Sequence, residues 1–217
     1  MFYLYLIPGI LFAITLHEFA HGFVSWKLGD PTARNAGRLT LNPLSHLDPL
    51  GAICMLLFHM GWAKPVPINP WYYKNKKLGI ILTSLAGPLM NILTGGISIF
   101  VMVWMEMAVR GGMLAAGNTV DTIYTVLYYF SVLSINLAVF NLIPIPPLDG
   151  SKILITFLPP KAQEWFFQFE RFFMIALMAC LYVGVLDAPI NAFYTLIEKG
   201  IWRLAIMAFS GMSAGFI

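Results

Sequence analysis

The sequence predicts an all-α polytopic membrane protein with five to six transmembrane helices and a small membrane-associated β-hairpin or sheet. The first observation is composition: the chain of 217 residues is 59% hydrophobic and only 11% charged, unlike a soluble globular domain. The second is the presence of long stretches without Asp, Glu, Lys or Arg. Several of them approach or exceed the roughly 20 helical residues that cross a hydrocarbon core.

Three long uncharged stretches predict the principal spans, at residues 1–17, 78–105 and 122–148. Residues 172–186 are also uncharged and predict a further, shorter span. For residues 187–217 the sequence leaves two alternatives, a sixth transmembrane helix or an interfacial helix, because three charged residues interrupt the segment.

The loop between the first two spans has a pattern of its own. Residues 49–63 are uncharged but too few to cross a bilayer. The flanking segments 37–43 and 64–70 contain prolines, which disfavour helix and confine a strand to a sheet edge. We expect residues 37–70 to form a small hairpin or sheet that dips into the membrane, with its backbone satisfied by protein or water.

No tandem repeat or low-complexity tract divides the chain. We interpret residues 1–217 as a single integral-membrane domain with a core at 1–155 and C-terminal helices at 165–217. The net charge of +3 gives no indication of a nucleic-acid partner.

The distribution of basic residues predicts the orientation of the chain in the cell (plasma or inner) membrane. Seven Lys and Arg residues lie between the first and second long stretches, and one lies between the second and third. Three more lie between the third stretch and the span at 172–186. Because cytoplasmic loops carry such an excess, we expect loops 25–77 and 149–171 to be cytoplasmic and loop 106–121 to face outward.

A metal-binding motif, HEFAH, lies at residues 17–21, inside the first apolar stretch. On a helix, His17 and His21 share one face and are spaced to bind a single zinc ion. The carboxylate of Glu18 beside them can take a proton from water. No charge precedes Glu18, and the next charge after it is Lys27. The pattern therefore predicts a zinc site buried in lipid.

A catalytic zinc ion usually has a third protein ligand, a His or a carboxylate, with the fourth position left for water. Asp149 is the best candidate, because three prolines before it break the third span and leave polar backbone at membrane depth. A carboxylate there is costly unless it is paired or metal-bound, although Asp149 could instead cap the following helix. The other candidates are His46, Asp48, His59 and Asp187.

Small residues recur every four positions in the second long stretch, at Gly87, Asn91 and Gly95. Such a stripe lets two helices approach closely. Asn91 is therefore open between two roles, a substrate-binding residue of the site and a helix-packing amide.

Four segments together resemble the site-2 protease family of intramembrane zinc metalloproteases. They are HEFAH at 17–21, GRLTLNPLSHLDPLG at 37–51, AGPLMN at 86–91 and NLIPIPPLDG at 141–150. The resemblance is to the short prokaryotic branch that has neither a PDZ nor a CBS domain.

This resemblance implies His17, His21 and Asp149 as the ligands of one zinc ion per chain, with Glu18 as the general base. It also implies that Asn141, eight residues before Asp149, is an active-site asparagine. Beside the proline break, Asn141 is placed to hold the carbonyl group of the substrate.

The expected function is zinc-dependent intramembrane endoproteolysis of a transmembrane protein or peptide substrate. The active site would be accessible from the cytoplasmic side, and an edge strand at 37–43 or 64–70 could capture the substrate by strand addition. One alternative is a catalytically silent client-binding protein of the same fold, which need not keep a base. Another is a small transporter, whose ionisable groups would be spread along a pathway rather than gathered at one depth. The oligomeric state is left open.

Overall fold

The structure is a computed structural model that describes residues 2–58 and 61–213, and it is helical almost throughout. Two short 3₁₀ turns, Pro43–Ser45 and Pro70–Tyr72, lie in the loop between the first two long helices. The α-helices in chain order are α1 (Phe2–Lys27), α2 (Thr32–Asn35), α3 (Pro49–Phe58), α4 (Lys76–Arg110), α5 (Asn118–Asn141), α6 (Asp149–Ile155), α7 (Pro160–Gln168), α8 (Glu170–Val183) and α9 (Asp187–Ser213).

Within the part of the chain that the structure describes, three helices are long and apolar enough to cross a membrane: Leu6–Lys27 within α1, and all of α4 and α5. A fourth span is possible if α7 and α8, which are bent by 63° at their junction, count as one broken helix. The five to six spans predicted from sequence are not confirmed. Helix α8 has only 14 residues, about 21 Å of rise, and α9 carries three charges in its middle.

The β-hairpin predicted at 37–70 is not confirmed either, since residues 2–58 and 61–213 contain no β-strand. One antiparallel bridge joins Leu47 to Ala63, and the Lys64 amide donates to the His46 carbonyl at 2.9 Å. The apolar run between them forms helix α3, whose i to i−4 hydrogen bonds pair backbone groups within the segment without a partner strand. A side-chain contact adds to this bridge, since the Arg38 guanidinium donates to the Lys64 carbonyl at 2.7 Å.

Helix α4 is the central element, because it packs against α1, α5, α6 and α9. Its first turn is capped by Asn75, whose side chain accepts from the Leu78 amide at 3.1 Å. Where α4 faces α5, a Cβ added at Gly95 would lie 3.0 Å from the Ile135 side chain. The small residue thus permits the close approach that the four-residue stripe predicts.

An apolar cluster fills the space among α4, α5 and α9, away from the histidine motif. Its fully buried members are Ile99, Met102, Val103, Ile135, Val139 and Ala205. Helix α9 therefore contributes to the packed core of the described chain. Its Lys199 and Arg203 side chains are exposed, and its half-buried Glu198 accepts a hydrogen bond from the Tyr194 hydroxyl at 2.9 Å.

A buried hydrogen-bond network attaches the loop after α1 to α4. Asp30 is fully buried and accepts from the Ser25 hydroxyl at 2.8 Å and from the Asn69 amide at 2.7 Å. The Tyr73 hydroxyl lies 2.7 Å from the Ser25 hydroxyl and 3.0 Å from that of Thr83 on α4. Polar side chains rather than strand pairing thus fix this loop beside the end of α1.

The chain breaks between α5 and α6 as the prolines predict. Helix α5 ends at Asn141, and residues 142–148 form tight turns before α6 begins at Asp149. A Cβ added at Gly150 would lie 2.7 Å from the Ile143 carbonyl oxygen, so only glycine allows this folded-back path. The fold-back brings the first turn of α6 against α4.

Candidate metal centre

His17 and His21 lie one turn apart on α1 and are both about 95% buried. Their rings are nearly perpendicular, with centroids 4.6 Å apart, and their Nε2 atoms are 3.0 Å apart. As the i, i+4 spacing predicts, the two Nε2 atoms point to the same position between the rings and α6.

Asp149 reaches that place from α6. Its Oδ2 atom lies 3.1 Å from Nε2 of His17 and 3.0 Å from Nε2 of His21. Its other oxygen, Oδ1, accepts a hydrogen bond from the Lys152 ammonium at 2.8 Å. Among the described residues, these two histidines and this aspartate form the one group of His, Cys, Asp and Glu that could hold a metal ion.

The hydrogen bonding of His21 fits a cation between the three side chains. Nδ1 of His21 lies 2.7 Å from the Thr83 carbonyl oxygen, which can only accept, so Nδ1 carries the hydrogen. In neutral His21 the other nitrogen, Nε2, then presents a lone pair to a carboxylate oxygen of Asp149. Two such acceptors repel each other at 3.0 Å unless a proton or a metal ion lies between them, and zinc takes this kind of ligand set.

Helix α4 leaves room beside these nitrogens at Gly87. A Cβ added there would lie 2.7 Å from Nε2 of His17 and closer still to Nε2 of His21. Any larger side chain would therefore occupy the space next to the ligand atoms. The residues present fit a bound zinc ion in both chemistry and space.

Glu18 is half-buried next to the first histidine, and its Oε2 atom accepts the Val66 amide hydrogen at 2.8 Å. Val66 is itself buried, and a Cβ added at Gly22 would contact its side chain at 3.1 Å. The segment after the α3 loop thus lies along α1 and fixes the carboxylate by a main-chain hydrogen bond.

The two asparagines expected at the site have different surroundings. Asn91 on α4 is fully buried, with its Nδ2 atom 3.4 Å from Nδ1 of His17. Asn141 is half-buried at the end of α5, and its amide nitrogen donates to the Leu137 carbonyl at 2.9 Å. Asn91 therefore lies directly behind a candidate ligand, whereas Asn141 lies at the mouth of the break before α6.

The remaining sequence candidates for a third ligand lie elsewhere, apart from His59, which is outside the described residues. Nε2 of His46 lies 2.8 Å from the Thr40 carbonyl oxygen, and Oδ1 of Asp48 accepts from the Gly51 amide in the first turn of α3. Asp187 lies in the first turn of α9.

Sequence reasoning missed three contributors to this centre. The Thr83 carbonyl and the Val66 amide are main-chain groups, whose identity a sequence cannot encode. Lys152 is the third contributor, and its i, i+3 spacing from Asp149 on a helix could have indicated the ion pair.

A cavity of about 590 Å³ opens onto His21 from the side of the 66–73 segment. Its walls are mostly apolar, and its basic lining residues are Lys76, Lys77 and Lys152. The candidate metal centre is thus reached from the end of α4 where the loop residues lie.

Comparison with known proteins agrees with this centre. The model of peptidase family M50 matches residues 105–183. A Bacillus subtilis protein named "Putative zinc metalloprotease YwhC" is 39% identical over 175 residues, which cover 80% of this chain and 78% of that protein. A Mycobacterium tuberculosis protein named "Putative zinc metalloprotease Rip2" is 29% identical over 192 residues, which cover 83% of this chain and 68% of that protein. No solved structure matches the chain.

The candidate metal centre and the similarity to YwhC together define the class of protein. The chain belongs to peptidase family M50, the site-2 protease family. It is a metalloprotease that uses zinc, and its family and its apolar helices indicate a membrane protein.

Proposed function

We propose that this metalloprotease is an intramembrane endopeptidase that cleaves transmembrane segments of other membrane proteins. The observation that carries the proposal is the position of His17, His21 and Asp149 beside the span Leu6–Lys27. At 1.5 Å of rise per residue, His21 lies about 9 Å and His17 about 15 Å from the Lys27 end of α1. Since a hydrocarbon core is about 30 Å thick, a peptide that reaches these side chains is in the membrane as well.

In this mechanism His17, His21 and Asp149 hold one zinc ion. When bound there, zinc polarises the scissile carbonyl and lowers the pKa of water to about 7. Lys152 keeps the second carboxylate oxygen of Asp149 occupied, so that one oxygen faces the histidines.

Glu18 is the general base and acid of the mechanism. Its carboxylate accepts the proton of the attacking water and passes that proton to the leaving amine. The hydrogen bond from the Val66 amide holds one carboxylate oxygen and leaves the other for the proton. This contact also keeps the carboxylate from turning away along α1.

Asn141 holds the carbonyl oxygen of the scissile bond as negative charge develops on it. Its amide nitrogen has two hydrogens, and the hydrogen bond to Leu137 uses only one of them. The second hydrogen can therefore point to the substrate beside the break before α6.

Substrate capture by main-chain pairing is assigned to residues 37–43. In the 64–70 segment, the amides of Lys64, Val66 and Asn69 already donate to other groups, and the three prolines have no amide hydrogen. Only the Ile68 amide is left there for a substrate strand, whereas 37–43 offers the consecutive amides of Leu39, Thr40 and Leu41.

The bent α7–α8 pair and α9 complete a set of five spans in this proposal. The support is that α9 covers α4 and α5 with apolar residues, and that the half-buried carboxylate of Glu198 in the middle of α9 accepts a hydrogen bond from the Tyr194 hydroxyl. With the basic loops 25–77 and 149–171 in the cytoplasm, the cavity beside His21 opens to cytoplasmic water. The protein then resides in the cell membrane with its active site accessible from inside.

The test compares protein amino termini in membranes from cells that produce the wild-type enzyme or its Glu18→Ala variant. We expect new termini inside transmembrane segments with the wild type and none with Glu18→Ala, while the purified variant keeps about one zinc ion per chain. Glu106→Ala, which removes an exposed carboxylate paired with Arg110 on α4, is the matched control and should cleave normally.

Two results would contradict the proposal. New termini that lie only in extramembrane loops would make the enzyme a protease of soluble segments. Full zinc occupancy without any new termini would favour a client-binding protein of this fold.

A further inference from the structure

Asn91 presents a polar atom that the described chain leaves without a partner. Its side chain is fully buried, and its Oδ1 atom has no hydrogen-bond donor within reach. Its Nδ2 atom lies 3.4 Å from Nδ1 of His17. An unsatisfied buried amide oxygen costs about 1–3 kcal/mol, so this arrangement indicates a role that the present amide orientation does not serve.

The tautomer of His17 identifies the hydrogen-bond donor that Oδ1 of Asn91 lacks. Nε2 of His17 faces His21 and Asp149, and it can bind a metal ion only through a lone pair. In neutral imidazole the hydrogen then sits on Nδ1, which must donate. An amide nitrogen cannot accept that hydrogen, whereas an amide oxygen can.

A half-turn of the Asn91 amide group pairs its orphaned oxygen with Nδ1 of His17. The oxygen and nitrogen of an Asn amide are nearly identical in shape, and their assignment rests on the surrounding hydrogen bonds. Turned over, Oδ1 of Asn91 takes the place of Nδ2 and faces Nδ1 of His17. One rotation thus supplies a donor to the orphaned oxygen and an acceptor to the imidazole.

We infer that Asn91 is a positioning residue whose Oδ1 atom accepts the Nδ1 hydrogen of His17 and holds Nε2 toward the metal. The inference rests on the proposed role of His17 as a ligand. Of the two roles that the sequence left open for Asn91, it replaces the substrate contact, because an amide with no exposed surface lies behind the ligand rather than beside the substrate.

Helix α4 then supports both histidines by the same device. The Thr83 carbonyl accepts from Nδ1 of His21, and Asn91, two helical turns further on, accepts from Nδ1 of His17. Gly87 lies midway and leaves the space beside the ligand nitrogens. The four-residue spacing of these three positions on α4 matches the four-residue spacing of the two histidines on α1.

The test measures zinc affinity of the purified full chain by competition with a chelator. Asn91→Leu keeps the volume but removes the acceptor, and we expect a 10–100-fold loss of affinity, the usual cost of losing such a partner. Asn91→Asp supplies a carboxylate acceptor and should stay within a few-fold of the wild type. Asn136→Leu is the control, because its half-buried amide on α5 donates to its own helix at Val132.

The outcomes separate this inference from the proposed function. Wild-type affinity in Asn91→Leu, or equal loss in the Leu and Asp variants, would overturn the role of Asn91. If Asn91→Leu does not fold, Asn91→Ala takes its place with the same expectation. Retention of zinc by His17→Ala would instead overturn the ligand assignment on which the inference rests.

Discussion

At the scale of single residues, the candidate metal centre brings Asp149 to two histidines that lie more than 120 positions earlier in the chain. Its Oδ2 atom lies within 3.1 Å of both Nε2 atoms. The motif on α1 could be read from its spacing alone. The partner could be inferred only from the cost of a carboxylate at membrane depth, because no local pattern joins the two elements.

Asp149→Ala should lose both zinc and proteolysis, whereas Asp48→Ala should keep the metal. The first change removes an oxygen from the cluster, and the second removes only a cap from α3, where Oδ1 of Asp48 accepts the Gly51 amide. Loss of that cap should cost about 1 kcal/mol of stability. Metal analysis of the purified variants checks this, and full zinc in Asp149→Ala would refute the assignment.

Gly87→Ala should also abolish zinc binding, although it adds a single methyl group. That methyl would lie 2.7 Å from Nε2 of His17 and would press on His21 as well. Gly96→Ala on the same helix is the matched control, since its methyl would meet only the Ile201 side chain at 3.7 Å. Equal zinc content in the two variants would show that α1 and α4 yield at this contact.

At the scale of elements, the loop after α1 is held by side-chain hydrogen bonds to Asp30. Burial alone would raise the pKa of Asp30, but hydrogen bonds from Asn69, Thr32 and Ser25 outweigh burial and lower this pKa below its ordinary value. The stability that follows is present above the unfolded-state pKa of about 3.9 and is lost as the pH falls through the folded-state pKa.

Asp30→Asn should therefore lower the midpoint of thermal unfolding at pH 7, because a neutral amide cannot accept the same set of charge-assisted hydrogen bonds. The difference from the wild type should shrink as the pH is lowered below about 4, where the Asp30 carboxylate of the unfolded chain becomes protonated while that of the folded chain is still charged. Circular dichroism of the detergent-solubilised protein measures both. Asp121→Asn, at an exposed carboxylate in the first turn of α5, should show no such effect. A gap that is constant with pH would contradict this account of the loop.

Leu41→Pro should reduce turnover without removing zinc, since proline cannot donate to a paired substrate strand. The Leu41 side chain is 55% exposed, so the change places no strain on packing against α1. Leu41→Ala keeps the amide hydrogen and should cleave at the wild-type rate. Unchanged kinetics in the proline variant would mean that residues 37–43 serve only the structure.

At the scale of the whole molecule, the candidate metal centre is reached from the loop at one end of α1 and α4. Reporter proteins fused after residues 76, 115 and 161 test where that end lies. We expect cytoplasmic signals at 76 and 161 and an external signal at 115, because seven, one and three basic residues mark the three loops. An external signal at 76 would reverse the side from which water enters.

The sequence by itself determined the three long spans, the HEFAH motif and the third ligand candidate. Uncharged length, i, i+4 spacing and the cost of a charge in lipid are local properties that do not depend on the fold. The same reasoning overestimated the β-structure at 37–70, because the apolar run inside it forms a helix whenever no partner strand satisfies its backbone.

Only the tertiary structure decided how the centre is supported. The Thr83 carbonyl behind His21, the Val66 amide on Glu18 and the orphaned oxygen of Asn91 behind His17 all come from elements distant in sequence. Main-chain groups are the same in every residue type, so the sequence does not distinguish them. The sequence also does not show whether an Asn side chain packs between helices or supports a metal ligand. The physical reason is that hydrogen bonding depends on position and direction, which packing of α1 against α4 fixes and composition does not.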